Sequence, residues 1–149
     1  MCIKLEISDI LSLIAILVSL LAFWLEYNRI KKESDAKFFQ DIYFKYMKQR
    51  IPIAEAHISF NTVANRVDGI SEMIDVIKAL RKKSSPYRFI DEKFYTDLVS
   101  CLEEIEDFYI EATNTVRDQG RFETFQKKSR ENISKIYQKL NKKFQNKKQ

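Results

Sequence analysis

The sequence predicts an all-α protein, with one N-terminal transmembrane helix continuing into a cytoplasmic antiparallel bundle of four to five helices. Three observations predict it. Gly and Pro number only two each in 149 residues, too few for a turn-rich β architecture. Sixteen consecutive uncharged residues, ILSLIAILVSLLAFWL, separate Asp9 from Glu26. Beyond them, apolar side chains recur at three- and four-residue spacing over long stretches. The chain divides by this reading into a short extracytoplasmic N-terminus (1–6), a membrane helix (7–27), a helical bundle (28–120) and a basic C-terminal helix and tail (121–149).

The apolar run carries two polar residues, Ser12 and Ser19, and its hydrophobicity goes all round the helix. A bilayer core about 30 Å thick needs roughly 17–25 residues at about 1.5 Å each. With Ile7 and Tyr27 as interfacial ends the span reaches about 21 residues. Trp24 and Tyr27 stand where an aromatic belt lies, and Arg29, Lys31 and Lys32 follow as interface anchors. A buried core helix of a soluble bundle is one rival, but so short a chain rarely surrounds a helix on every side. A cleaved signal peptide is the other. It wants a basic n-region and small residues before its cleavage point, whereas Lys4 is followed by Glu6 and Asp9, and Phe23-Trp24-Leu25 is bulky.

Basic residues weigh more heavily after the span (Arg29, Lys31, Lys32, Lys37) than before it (Lys4), so the positive-inside rule places the N-terminus outside and the large domain in the cytoplasm. A bacterial inner membrane is the expected bilayer. Cys2 and Cys101 then lie on opposite sides and do not pair, which fits a reducing compartment for most of the chain. Within the span, Ser8, Ser12, Ala15, Ser19 and Ala22 are spaced 4, 3, 4, 3 and share one face. Small residues let two backbones approach and hydroxyls bond across the contact. The face therefore reads either as a homo-oligomer or partner-helix contact, or as the ordinary Ser and Ala content of a membrane span.

No break separates Tyr27 from Gln49, where Phe38, Phe39, Ile42, Tyr43, Tyr46 and Met47 form a stripe. A restart at Ser34-Asp35 is the alternative to one long helix. Pro52 is expected to end it and to open a second helix over about 53–67, with Ile53, Ala56, Phe60, Val63 and Val67 inward. After Asp68-Gly69, a third helix is expected over about 70–83 (Ile70, Met73, Ile74, Ile77 and Leu80 inward), then a loop at Ser84-Ser85-Pro86-Tyr87. Asp91 is the expected N-cap of a fourth helix reaching about Val116, with Phe94, Tyr95, Leu98, Leu102, Ile105, Phe108, Tyr109 and Ala112 on its stripe. Gly120 punctuates. The last helix is expected from about Arg121 towards Phe144, with Phe122, Phe125, Ile133, Ile136, Tyr137 and Leu140 apolar and Ser129 weakening the stripe. Short loops between such helices give an up-down bundle.

Charge is segregated. Residues 121–149 carry ten Lys or Arg and two acidic residues, a net of +8, while the rest of the chain is at −3. Lys135, Lys139, Lys142, Lys143, Lys147 and Lys148 mark this basic tail. It reads as a solvated helix face, as a contact for anionic lipid near the bilayer, or as a nucleic-acid footprint. The last is weakest, because no reading motif accompanies it. Some of this charge can also face the acidic run Glu103, Glu104, Glu106, Asp107 and Glu111. That run makes no metal site: the single His57 lacks the Glu-x-x-His spacing of a di-iron bundle and no calcium-loop pattern is present. No phosphate loop, nucleophile elbow or zinc motif occurs either. The expectation is a non-enzyme without cofactors.

The function expected from these features is a membrane-anchored interaction or scaffold module at the cytoplasmic face, with Phe44, Tyr87 and Phe89 as candidate exposed contacts. The alternative is an oligomeric pore-forming or membrane-disrupting effector. In layout alone the chain resembles small membrane effectors of bacterial defence and toxin systems.

Overall fold

The computed structural model describes residues 7–145, with the backbone alone at Ile7, Asp9, Phe144 and Gln145. Cys2, Lys4, Glu6 and the rest of segment 1–6, together with Lys147 and Lys148, lie outside the described residues. The chain is mostly helical and forms two compact units, Met1–Ala36 and Lys37–Gln149.

α1 (Ile7–Ile42) runs through the first unit and on into the second, and it is under way from its earliest described residue. It passes Ser34-Asp35 without a restart, as expected for a stretch free of Gly and Pro. Its apolar residues from Ile10 to Leu25 are exposed on every side, from 47% at Ile10 to 74% at Phe23.

The second unit is a four-helix bundle. Helical structure does not stop before Pro52. A π-helical segment, Tyr43–Arg50, leads directly into α2 (Ile51–His57), and Pro52 falls in the first turn of α2. Proline lacks the N–H that an interior helical position must donate, but it is tolerated where a helical register changes.

The expected helix over 53–67 is overturned past His57. There the chain forms a two-stranded antiparallel hairpin, β1 (Ser59–Asn61) paired with β2 (Arg66–Asp68) in the register Phe60 opposite Val67. Local side-chain chemistry explains the change. The Asn61 side-chain oxygen accepts from the amides of Val63 and Ala64 at 3.1 and 3.0 Å, and its amide donates to Asp68 at 3.0 Å. Asn65 takes a left-handed φ of 49°, which Asn tolerates better than most residues. The inward face is different too: Ile51, Ala54 and Ile58 are buried, whereas Ile53 and Ala56 are exposed and Val63 is 93% exposed at the hairpin tip.

Gly69 joins the hairpin to α3 (Ile70–Ser84) at φ 85°. A Cβ there would lie 2.3 Å from the His57 carbonyl oxygen, so both the backbone angle and the close approach require glycine. α3 buries Ile70, Met73, Val76, Ile77 and Leu80, while Ile74 is only half-buried. The expected loop after it is one turn of 3-10 helix, Ser85–Phe89.

Asp91 caps α4 (Glu92–Thr115) by accepting from the Phe94 amide at 3.0 Å. α5 (Gln119–Gln145) starts a turn's edge earlier than expected, because Asp118 accepts from the Arg121 amide at 2.8 Å and Gly120 fits inside the first turn. The core is the shared interior of these helices: Ile42, Met47 and Ile51, then Ile77 and Leu80, then Leu98, Leu102 and Ile105, then Ile133, Ile136 and Leu140. Stacked rings extend it towards the hairpin, with Phe108 on Phe125 at 5.3 Å and Phe60 against Phe122 at 5.7 Å. Ser129 does not weaken this packing. It is buried and lies 2.7 Å from the Tyr109 hydroxyl, so each polar group satisfies the other.

Candidate functional site: an apolar helix and the basic surfaces of the bundle

Sixteen uncharged residues at the helical rise of about 1.5 Å form an apolar rod roughly 24 Å long. Among the described residues, α1 is the helix long and apolar enough to cross a membrane. The two serines within the apolar run carry no spare donor. Ser12 Oγ donates to the Ser8 carbonyl and Ser19 Oγ to the Ala15 carbonyl, both at 2.8 Å. Back-bonding of this kind satisfies a hydroxyl within its own helix, which apolar surroundings require. Ser8, Ser12, Ala15, Ser19 and Ala22 are all exposed along one face. A neighbouring helix packing there meets hydroxyl oxygens with acceptor capacity left and little side-chain bulk.

The end of the apolar run carries its own polar frame. Arg29 holds Glu26 through two bonds of 2.7 and 3.0 Å, and Glu33 lies 4.0 Å away on the next turn. Trp24, Tyr27, Lys31 and Lys32 are exposed beside them. Pairing Glu26 to Arg29 reduces the cost of a carboxylate at the edge of the apolar stretch.

The basic tail divides into two kinds of residue. Lys135, Lys139 and Lys142 are exposed on α5, with Lys135 bonded to the Asn132 side chain at 2.9 Å. Lys143 is instead a structural residue. Its ammonium pairs with the capping carboxylate of Asp91 and sits over the rings of Phe94 and Tyr87, at 5.5 and 5.9 Å from their centroids. Spacing along one helix does not reveal such a contact, because the partner is more than fifty residues away.

Two members of the acidic run on α4, Glu103 and Glu106, find cations on α3, while Glu104 lines a cleft with Lys135, Lys139 and Lys142 of α5. Glu106 is buried beside Arg81 at 3.2 Å and Lys78 at 3.6 Å, and Arg81 also reaches Glu103 at 3.3 Å. No group of acidic, His and Cys side chains among the described residues has the arrangement to hold a metal ion. His57 Nδ1 lies 2.6 Å from Glu72 on an exposed surface. Cys101 is a free thiol buried in the core, and burial pushes its pKa up, which makes it a poor nucleophile.

Of the candidate aromatic contacts, Phe44 and Phe89 are exposed, Phe89 at 89%. Tyr87 is a correction: it is buried, stacked on Phe38 with centroids 4.1 Å apart and set edge-on to Phe94. The pattern Ser-Pro-Tyr-Arg-Phe reads as a loop, but the 3-10 turn points its middle aromatic inward and its last one outward. Clefts run along α4 and α5. One of about 540 Å³ lies by their connection, between Phe108, Thr115, Arg121 and Lys128. Another, about 530 Å³, lies at the opposite end, between Asp91, Lys93, Asp97, Lys139 and Lys142.

Comparison with family models, with curated proteins and with solved structures finds no match for this chain.

Proposed function

We propose that this protein is a membrane-anchored helical interaction module. By this reading it is non-enzymatic and held by α1 as a single-pass anchor, with its N-terminus outside and its bundle at the cytoplasmic face. The observation that carries the proposal is the exposure of apolar side chains all round the helix from Ile10 to Leu25. An apolar surface on every side of a helix asks for a solvent of the same kind. The frame of Trp24, Tyr27, Arg29, Lys31 and Lys32 supports the interfacial boundary. The small-residue face supports pairing of α1 with a second copy or with a partner helix.

Thiol accessibility tests the topology. Cys2 should react with a membrane-impermeant maleimide added to intact cells, and protease should cut the bundle only in inverted vesicles. Labelling of Cys2 only after inversion would reverse the topology. Crosslinking in mild detergent tests the pairing: oligomers should form, and S12L or S19L should weaken them. Dye leakage from proteoliposomes, abolished by the same substitutions, would move the reading from tether to oligomeric pore.

A further inference from the structure

The bundle has one end at which the chain enters it, and that end is built differently from the rest. Phe38, the second residue of the unit, stacks on Tyr87 at 4.1 Å. One turn later Asp41 meets Lys83 at 3.5 Å. These contacts bring the last residues of α3 and the 3-10 turn to the entry point. The pairing of Lys143 with Asp91 brings the last turns of α5 to the same place.

What this end shows to solvent is unusual in two ways. Phe89 is 89% exposed at the tip of the 3-10 turn, although Tyr87, two residues before it, is buried. The same elements carry the exposed cations Lys82 and Arg88, and the exposed Lys93 and Lys142 line the cleft beside Asp91. Asp41 and Asp91, which would offset them, are each held by a lysine of their own. Glu92 and Asp97 contribute two exposed carboxylates against these four cations. The result is an aromatic ring standing out of a surface with net positive charge.

We propose that this entry end docks on the anionic lipid surface of the membrane in which α1 is anchored, with Phe89 entering the headgroup layer and Lys82, Arg88, Lys93 and Lys142 of the same end facing lipid phosphates. The inference rests on the anchor reading above. Charge complementarity selects anionic lipid, and each Lys or Arg close to such a surface is worth about a fivefold gain in binding. The tether selects this end of the bundle over others. Ten residues lie between Tyr27 and Phe38, so the entry end stays within at most about 40 Å of the span, whatever path the chain follows. The docked bundle then turns its far end, with the hairpin and the Phe108–Arg121 cleft, towards the cytoplasm.

The test uses the full chain in vesicles of phosphatidylcholine, with or without about 30% phosphatidylglycerol. Indole fluorescence is quenched by lipids brominated in the upper acyl chain. The native Trp24 reports the anchor. F89W in a W24F background reports the docking, and an 89%-exposed position accepts the change without repacking. The expected result is strong quenching of the F89W indole with phosphatidylglycerol and little without it. K82E/R88E/K142E should lower the docked fraction at least about tenfold. If Trp24 is quenched but the F89W indole stays open to aqueous acrylamide in both vesicles, docking is overturned, the anchor stands and the patch is left for a protein partner. If Trp24 itself is unquenched, the anchor reading fails first.

Discussion

The Tyr137 hydroxyl on α5 donates to the backbone carbonyl of Met47, in the π-helical segment ninety residues earlier. The reason is Pro52. In this stretch the Ile51 amide bonds to the Tyr46 carbonyl, five residues back. The next rung would run from residue 52 to Met47, and proline has no hydrogen to give. Tyr137 supplies the missing donor, so a helix-breaking residue is accommodated by a side chain from another helix.

Removal of that hydroxyl should therefore be costly only while Pro52 is present. Y137F is expected to destabilise the bundle by about 1–3 kcal/mol, the cost of a carbonyl left without a donor. In a P52A background the residue-52 amide can complete the rung, and the cost of Y137F should fall to under about 1 kcal/mol. A double-mutant cycle by denaturant unfolding reads the difference. Equal costs in both backgrounds would show that the two positions are unconnected.

Tyr109 gives the fold an alkaline limit. Burial is the main cause that pushes its pKa up to about 12, against the smaller opposing effect of its bond to Ser129. The folded value lies above the unfolded value of about 10, so the contribution is fully present below pH 10 and is lost as pH rises towards 12. The loss is on the order of 2–3 kcal/mol. Chemical unfolding at stepped pH should show this fall in the wild type and a smaller one in Y109F. Burial raises the Tyr137 pKa as well, so a remnant of the slope should persist in Y109F and shrink further in Y109F/Y137F, where the buried Cys101 thiol, its pKa also raised by burial, still contributes.

Gly69 should tolerate no side chain. G69A places a methyl group 2.3 Å from the His57 carbonyl oxygen and forces alanine to φ 85°. The backbone angle alone costs about 1–2 kcal/mol, and the collision adds to it. Thermal melts should show a large drop in G69A. N65G at the other left-handed position should be neutral or slightly stabilising, because it relieves the angle without a clash.

Asp91 has two tasks, and two substitutions separate them. D91A removes both the cap on the Phe94 amide and the anion paired with Lys143, at an expected cost of about 1–3 kcal/mol. D91N keeps a capping oxygen and removes the charge, and should cost under half as much. Unfolding midpoints of the two variants, compared with K143M, show how much of the loss comes from the ion pair. A K143M variant as stable as the wild type would assign the effect to the cap alone.

The stripes of α3, α4 and α5 are readable from spacing because each helix buries one face against neighbours that do the same. The Asp91 cap is readable for a similar reason, since its partner lies three residues away. The hairpin at Ser59–Asp68 was concealed by Phe60, Val63 and Val67, whose spacing imitates a helix. The signals against a helix were Asn61, Asn65 and Gly69, a turn chemistry that periodicity does not weigh. The π-helical segment, the Tyr109–Ser129 bond and the Lys143 contacts all depend on partners far along the chain, and no local pattern records them. The apolar run of α1 was the plainest feature in the sequence, since a surface hydrophobic on all sides needs no partner to be recognised.

Whether α1 spans a bilayer is decided most directly by extraction of membranes from cells that express the full chain. Alkaline carbonate strips proteins held by surface charge or by other proteins, and it leaves inserted helices in the lipid. The account predicts that the wild type stays in the membrane pellet and that L13E/L17E/L21E moves it to the supernatant, since each buried carboxylate in the span costs several kcal/mol. Release of the wild-type chain by carbonate would contradict the account.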